Sequence, residues 1–163
     1  MTQRLLDLAG IGADRLHLAW VSSAEAQRFA DVAIEVISRV KEKGPLDRKA
    51  FAMALGACEM TVNCETLRWL VGKEVKITGK GDVYGRSWPV DRYESVLNAA
   101  LEREYHKSLI YLALKEGCTS VRDISERTGL ALKHVSYLLA DLEKTKQVEF
   151  RGMQERKPVF AAL

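Results

Sequence analysis

Ser120-Val121-Arg122-Asp123-Ile124, then Thr128-Gly129-Leu130, then Leu132-Lys133-His134-Val135-Ser136-Tyr137-Leu138-Leu139-Ala140-Asp141-Leu142 carry the clearest structural signal in this chain. Val135, Leu138, Leu139 and Leu142 recur at spacings of three, one and three, which places them on one face of a helix. Gly129 supplies the left-handed conformation that a sharp helix exit requires. Ser120 to Asp123 predicts the capped start of a short preceding helix, with Val121 and Ile124 turned inward. Upstream, Leu109, Ile110, Leu112, Ala113 and Leu114 form the apolar side of another helix, ending at Gly117. Downstream, Val148-Glu149-Phe150 and Pro158-Val159-Phe160 flank the polar stretch Gly152 to Lys157, the pattern of a two-stranded hairpin.

Three helices, a glycine turn and a terminal hairpin in this order resemble the winged helix-turn-helix of bacterial and archaeal regulators, over residues 104–163. In such a domain the third helix enters the major groove and the wing touches the DNA backbone. The resemblance therefore makes Lys133, His134, Ser136 and Tyr137 candidate base-reading residues, with Arg151, Arg156 and Lys157 on the wing as backbone contacts. Charge argues for restraint: from Gly117 onward eight basic side chains face six acidic ones, a net of +2. That is thin for a surface that must neutralise several phosphates. A winged helix used to dock protein carries equal weight.

Moving towards the N-terminus, Asp91 with Glu94 three residues on predicts the capped start of a long helix running to Lys115, a spine between the middle of the chain and its last unit. In the glycine-rich stretch Gly72 to Pro89, Gly79-Lys80-Gly81-Asp82 reads as a turn. No G-K-[ST] follows, so a phosphate-binding loop is not expected there. From Asp47 to Val71 the sequence is helical and alanine-rich, with Gly56 or Thr61-Val62 as candidate breaks. Phe29, Val32, Ala33, Val36, Ile37 and Val40 predict an amphipathic helix that stops at Gly44-Pro45, after a Ser22–Glu25 capping box. Leu16 to Val21 reads as a strand. A lone strand leaves its backbone groups unpaired, so a partner is expected: Val75 to Thr78, a second copy, or another protein.

Asp14-Arg15-Leu16-His17-Leu18-Ala19-Trp20-Val21-Ser22-Ser23-Ala24-Glu25, continuing through Arg28-Phe29-Ala30 to Gly44-Pro45, resembles the C-terminal part of the delta subunit of methyl-viologen-reducing hydrogenase. The resemblance implies a place among small iron–sulfur proteins that pass electrons between a hydrogenase or formate dehydrogenase and heterodisulfide-reductase-type flavoproteins. Some longer members carry a helical and winged extension like residues 46–163. The family's cluster-binding cysteines precede the matched segment, whereas Cys58, Cys64 and Cys118 follow it, so none inherits a ligand role. The resemblance thus implies a docking piece without its own cluster. Leu16, Leu18, Trp20 and Phe29 are its candidate partner-binding residues. For Trp20 and Phe29 core packing is the default expectation, and for Ser22 and Glu25 helix capping is.

Composition bounds the rest. With 25 basic and 22 acidic residues in 163, the net charge is +3 and the chain is 47% apolar, ordinary for a globular protein. No apolar run is long enough to span a bilayer, and Met1-Thr2-Gln3-Arg4 opens no signal core. Three cysteines without C-x-x-C spacing and three scattered histidines build no metal set. No nucleophile–base pair stands out, so neither catalysis nor a cofactor is expected. The expected architecture is mainly α with a small β component: a β-α unit over 1–45, a helical middle over 46–103, and a winged helix-turn-helix over 104–163. The expected function is a non-catalytic accessory subunit of a cytoplasmic electron-transfer complex, partnered by a heterodisulfide-reductase- or hydrogenase-like subunit or by its own copy. The alternative is a DNA-binding transcriptional regulator on double-stranded DNA, and a third reading takes the chain as a piece of a larger redox subunit.

Overall fold

A computed structural model describes all of residues 1–163. It is mainly helical: α1 (Thr2–Leu8), α2 (Ala26–Lys43), α3 (Ala52–Asn63), α4 (Glu65–Val75), α5 (Val90–Lys115), α6 (Val121–Thr128) and α7 (Leu132–Lys144), followed by strands β1 (Val148–Gln154) and β2 (Lys157–Ala162). A short 3-10 turn covers Ala13–Arg15, and a π-helical segment, Lys76–Lys80, prolongs α4. None of these helices is long and apolar enough to cross a membrane.

The 26-residue α5 organises the molecule. At 1.5 Å per residue it spans about 39 Å, long enough to serve two cores. From its start to Leu109 it contributes Tyr93, Leu97, Leu101, Tyr105 and Leu109 to a core shared with Ala57, Leu67 and, from the N-terminus, Leu5, Ala9 and Ile11. Its last turns contribute Ile110, Ala113 and Leu114 to a core with Ile124, Val135, Leu138, Leu139, Leu142 and Val148. The helix starts at Val90 behind Pro89, without a side-chain cap. Asp91 therefore sits inside the first turn, where its charge favours the helix dipole, and is not the expected capping residue.

α3 and α4 part at Cys64, just beyond the β-branched pair Thr61-Val62. Gly56 is what lets α3 approach α5: a Cβ there would lie 3.3 Å from Leu112 Cδ1. Buried Thr61 satisfies its hydroxyl by donating to the Ala57 carbonyl at 2.6 Å, beside Ser108 Oγ at 3.2 Å.

In the last third the helices and hairpin fall where the sequence puts them. Ser120 Oγ accepts the Asp123 N–H at 3.2 Å, and Asp123 Oδ2 accepts the Ser120 N–H at 3.3 Å, a complete capping box. Gly129 closes α6 in the left-handed region at φ 74°. Val135, Leu138, Leu139 and Leu142 are all buried, and truncating any one of the three leucines to alanine costs about 2–5 kcal/mol. β1 and β2 pair antiparallel from Val148–Ala162 to Gln154–Lys157, with a bulge between Phe150 and Gly152. The turn shrinks to Glu155-Arg156, so the strands reach further into the polar stretch than its composition suggests.

The expected strands outside the hairpin are absent, and the turn expected from Gly79 begins only after Lys80. Leu16 to Val21 forms no strand, and Val75 to Thr78 belongs to the end of α4 and its π-helical continuation. A chain segment becomes a strand only beside an edge that completes its hydrogen bonds. The edge expected from Val75 to Thr78 has been taken into a helix.

Candidate functional site

On α7 the sequence-predicted set divides. Lys133, Ser136 and Tyr137 are exposed and, with Ala140, mark one open face of the helix. The Ser136 hydroxyl donates to the Leu132 carbonyl at 3.1 Å, so its proton is held within the helix. His134 turns instead towards α5, where its Nε2 lies 3.0 Å from His106 Nδ1 and the rings meet edge to face, 5.1 Å apart. One ring must be neutral to accept that hydrogen bond. Burial, then the neighbouring His134, pushes the His106 pKa below its ordinary value.

Arg103 of α5 continues this contact. It pairs with Asp141 of α7 at 2.9 Å, and its guanidinium lies 5.3 Å from the centre of the Tyr137 ring. Lys107, buried, donates to both carboxylate oxygens of Glu104 at 3.1 and 3.2 Å and lies 3.6 Å from Asp141. The Arg103 hydrogen bond holds the Asp141 carboxyl below the usual carboxylate range. Arg103, His106 and Lys107 escaped sequence analysis. Their i, i+3, i+4 spacing on one helix was visible, but nothing local says which helix they face.

In the hairpin, Arg151 is tied to Glu149 at 3.0 Å. Arg156 occupies the turn at φ 64° and Lys157 opens β2. Arg122 and Arg127 are likewise paired, with Glu126 at 2.9 Å and Glu116 at 2.7 Å. The cations of this region left without a carboxylate partner are Lys133, Lys144, Lys146, Arg156 and Lys157.

The second candidate site is the arm formed by residues 12–44. Arg15 donates to the carbonyls of Gly44 at 3.1 Å and Lys43 at 3.4 Å, and Asp14 pairs with Lys43. Arg39 approaches His17 Nδ1 at 3.4 Å. These contacts lay the extended segment back along α2, from its C-terminal end towards its start. There Glu25 accepts the Ser22 N–H at 2.9 Å, which is half of the expected capping box; α2 itself begins at Ala26.

No residue of α2 is buried. Leu16 is half-buried and, with Val36 and Val40, lines a cleft of about 290 Å³. Leu18, Trp20 and Phe29 stand 73%, 91% and 66% exposed, and Ile34, Ile37 and Val40 each remain more than half exposed. Core packing of Trp20 and Phe29 is thereby overturned. These exposed side chains enter neither core, because both cores are completed by other elements.

Cys58, Cys64 and Cys118 are unpaired and partly buried, and burial pushes the Cys58 and Cys64 thiols up. No three His, Cys, Asp or Glu side chains converge closely enough to hold a metal ion.

Comparison with known proteins finds a short similarity. Over 45 residues the chain is 40% identical to the vhu iron-sulfur subunit of the F420-non-reducing hydrogenase of Methanococcus voltae, covering 28% of this chain and 34% of that protein. Over 48 residues it is 42% identical to the protein of the same description from Methanocaldococcus jannaschii, covering 29% and 36%. The chain thus spans about a third of the length of the curated relatives it matches. No family model matches it, and no solved structure does.

Proposed function

We propose that this protein is a non-catalytic accessory component of a cytoplasmic electron-transfer complex of the hydrogenase or heterodisulfide-reductase type, docked through its N-terminal arm. The observation that carries this reading is the arm itself, an extended segment and an amphipathic helix that leave Leu18, Trp20, Phe29, Ile34, Ile37 and Val40 facing solvent. Contiguous exposed apolar surface of this kind marks interaction sites, and an unpaired extended segment is a ready template for strand addition. The similarity to hydrogenase iron-sulfur subunits supports the class of partner. In this reading the protein carries no cluster of its own; a second copy of the chain is the other occupant the arm would accept.

The test is reconstitution with a purified heterodisulfide-reductase-type flavoprotein subunit or hydrogenase subunit, sized by light scattering. A defined complex is expected. Trp20→Ala with Phe29→Ala should weaken it at least about tenfold, the loss of roughly 1.4 kcal/mol. Ala19→Pro removes one backbone donor and should weaken it similarly. Because these residues are exposed in the free chain, all three substitutions should leave its melting temperature unchanged. A complex formed equally well by the variants would refute docking through the arm.

A second reading has its own support. The open face of α7, the hairpin with Arg156 and Lys157, and a bridge between Ser120 and Val159 that adds a third short strand segment match the parts of a winged helix-turn-helix. We infer that residues 104–163 form such a domain, either docking protein or, as a DNA-binding transcriptional regulator, reading double-stranded DNA through Lys133, Ser136 and Tyr137. Nanomolar, sequence-selective binding at physiological salt would promote this second role above the first.

A further inference from the structure

α4, its π-helical continuation, the loop leading to α5 and the first turns of α5 line an open cavity of about 680 Å³, within the range of small-molecule sites. Two indoles line it, Trp69 from α4 and Trp88 from the loop, 57% and 37% exposed. They are not stacked on each other, so each has ring surface to offer. Tyr93 lies buried at the wall with its hydroxyl donating to the Leu70 carbonyl at 3.0 Å.

The same wall carries Lys73, Lys76 and Arg92, none of them in an ion pair. Arg92 lies 4.4 Å from the centre of the Trp88 ring, a cation–π contact that leaves its charge uncompensated. The lining carboxylate, Asp82, is spent on Arg86 at 2.8 Å.

The loop is built to hold this arrangement. Asp82 Oδ1 accepts the N–H groups of Tyr84 and Arg86 at 2.9 and 3.0 Å, and the Asp82 N–H donates to the Arg86 carbonyl at 2.8 Å. Gly81 permits the turn, with φ 73° and an Arg86 oxygen only 3.0 Å from where a Cβ would stand. The Trp88 N–H donates to the Ile77 carbonyl at 3.0 Å, which pins the indole-bearing residue to the π-helical segment.

Aromatic surface to stack on a flat ring, beside unpaired cations to hold an anion, is the chemistry that recognises a nucleotide. We propose that this cavity binds a free mononucleotide-class ligand, its base against Trp69 and Trp88 and its phosphate held by Lys73, Lys76 and Arg92. Side chains hold the phosphate here, which is why no glycine-rich phosphate loop marks the site in the sequence. The cavity lies apart from the arm and from α7, so its test and the docking test succeed or fail separately.

The experiment titrates AMP into the full chain while following tryptophan fluorescence, in a Trp20→Phe background that leaves the two cavity indoles as reporters. Saturable quenching is expected. Lys76→Gln with Arg92→Gln should weaken binding about tenfold or more, with helicity by circular dichroism unchanged. Adenosine and inorganic phosphate, each half of the ligand, should bind more weakly than AMP. Absence of saturation at millimolar AMP would overturn the proposal, as would equal binding by a folded double variant. Tighter binding of an oligothymidylate than of AMP would overturn it in favour of a single strand.

Discussion

His134 shows how one side chain can change meaning between sequence and structure. Its place on the helix marks it for a DNA base, yet it is committed to His106 across the α5–α7 contact. The pair has a pH consequence. With the His106 pKa depressed by burial and then by His134, and only Glu102 opposing, the unfolded chain takes up its proton first. The stabilisation is therefore complete above the unfolded histidine value near 6.5 and lost as pH falls through the lower folded value. Urea unfolding at about pH 7.5 and about pH 5 should show a loss of stability that His106→Gln reduces; an equal loss in both proteins would remove the pair from the account. Asp141 separates cleanly from this effect. Its carboxyl is held low by Arg103, so its contribution stands through that whole interval and fades only at stronger acidity. Asp141→Asn should cost about 1–2 kcal/mol at both pH values, below the buried-pair range because Arg103 is 41% exposed.

At the level of elements, the hairpin turn is the place where local chemistry and observed backbone disagree. Glu155 and Arg156 both take positive φ, 49° and 64°, as a two-residue turn between right-twisted strands demands. Neither is a residue that favours that region, which costs roughly 1–2 kcal/mol per residue. Replacing the pair with Asn-Gly should raise stability by about 1 kcal/mol, read from the urea midpoint at constant slope. If Arg156 also serves as a phosphate contact, the same change should weaken DNA binding while it stabilises the fold. α2 offers the opposite lesson. Its stop at Gly44 and its apolar stripe from Phe29 were legible, whereas its start lies at Ala26, past the expected Ser22–Glu25 box; its function as an unburied element was not legible, because a stripe says that something must cover it and never what.

Across the whole molecule, α5 couples two cores, and charge distribution limits what the last of them can do. The unpaired cations of that region are Lys133, Lys144, Lys146, Arg156 and Lys157. If each met one phosphate, the slope of log binding constant against log salt would reach about −4.5. Duplex DNA binding should accordingly be weak at physiological salt, with a slope no steeper than that value. A steeper slope measured by fluorescence anisotropy would mean that cations outside residues 117–163 reach the DNA, or that two copies bind together.

The chain of residues from Leu109 to Phe160 determined its own local structure. A period of 3.6, a serine–aspartate box and a left-handed glycine act within a few residues, so they survive in any tertiary context that buries the apolar face. The same holds for the end of α2 at Gly44. Tertiary structure alone decided whether Leu16 to Val21 would pair, because a strand is completed by a distant edge and that edge went into α4 and its continuation. It also decided which helix face His106, Arg103 and Lys107 would meet, and it gathered Trp69 and Trp88 with three unpaired cations around one cavity. Those residues lie up to 23 positions apart, from Trp69 to Arg92; no local pattern links them, and only the folding of α4 against α5 brings their side chains to a common wall.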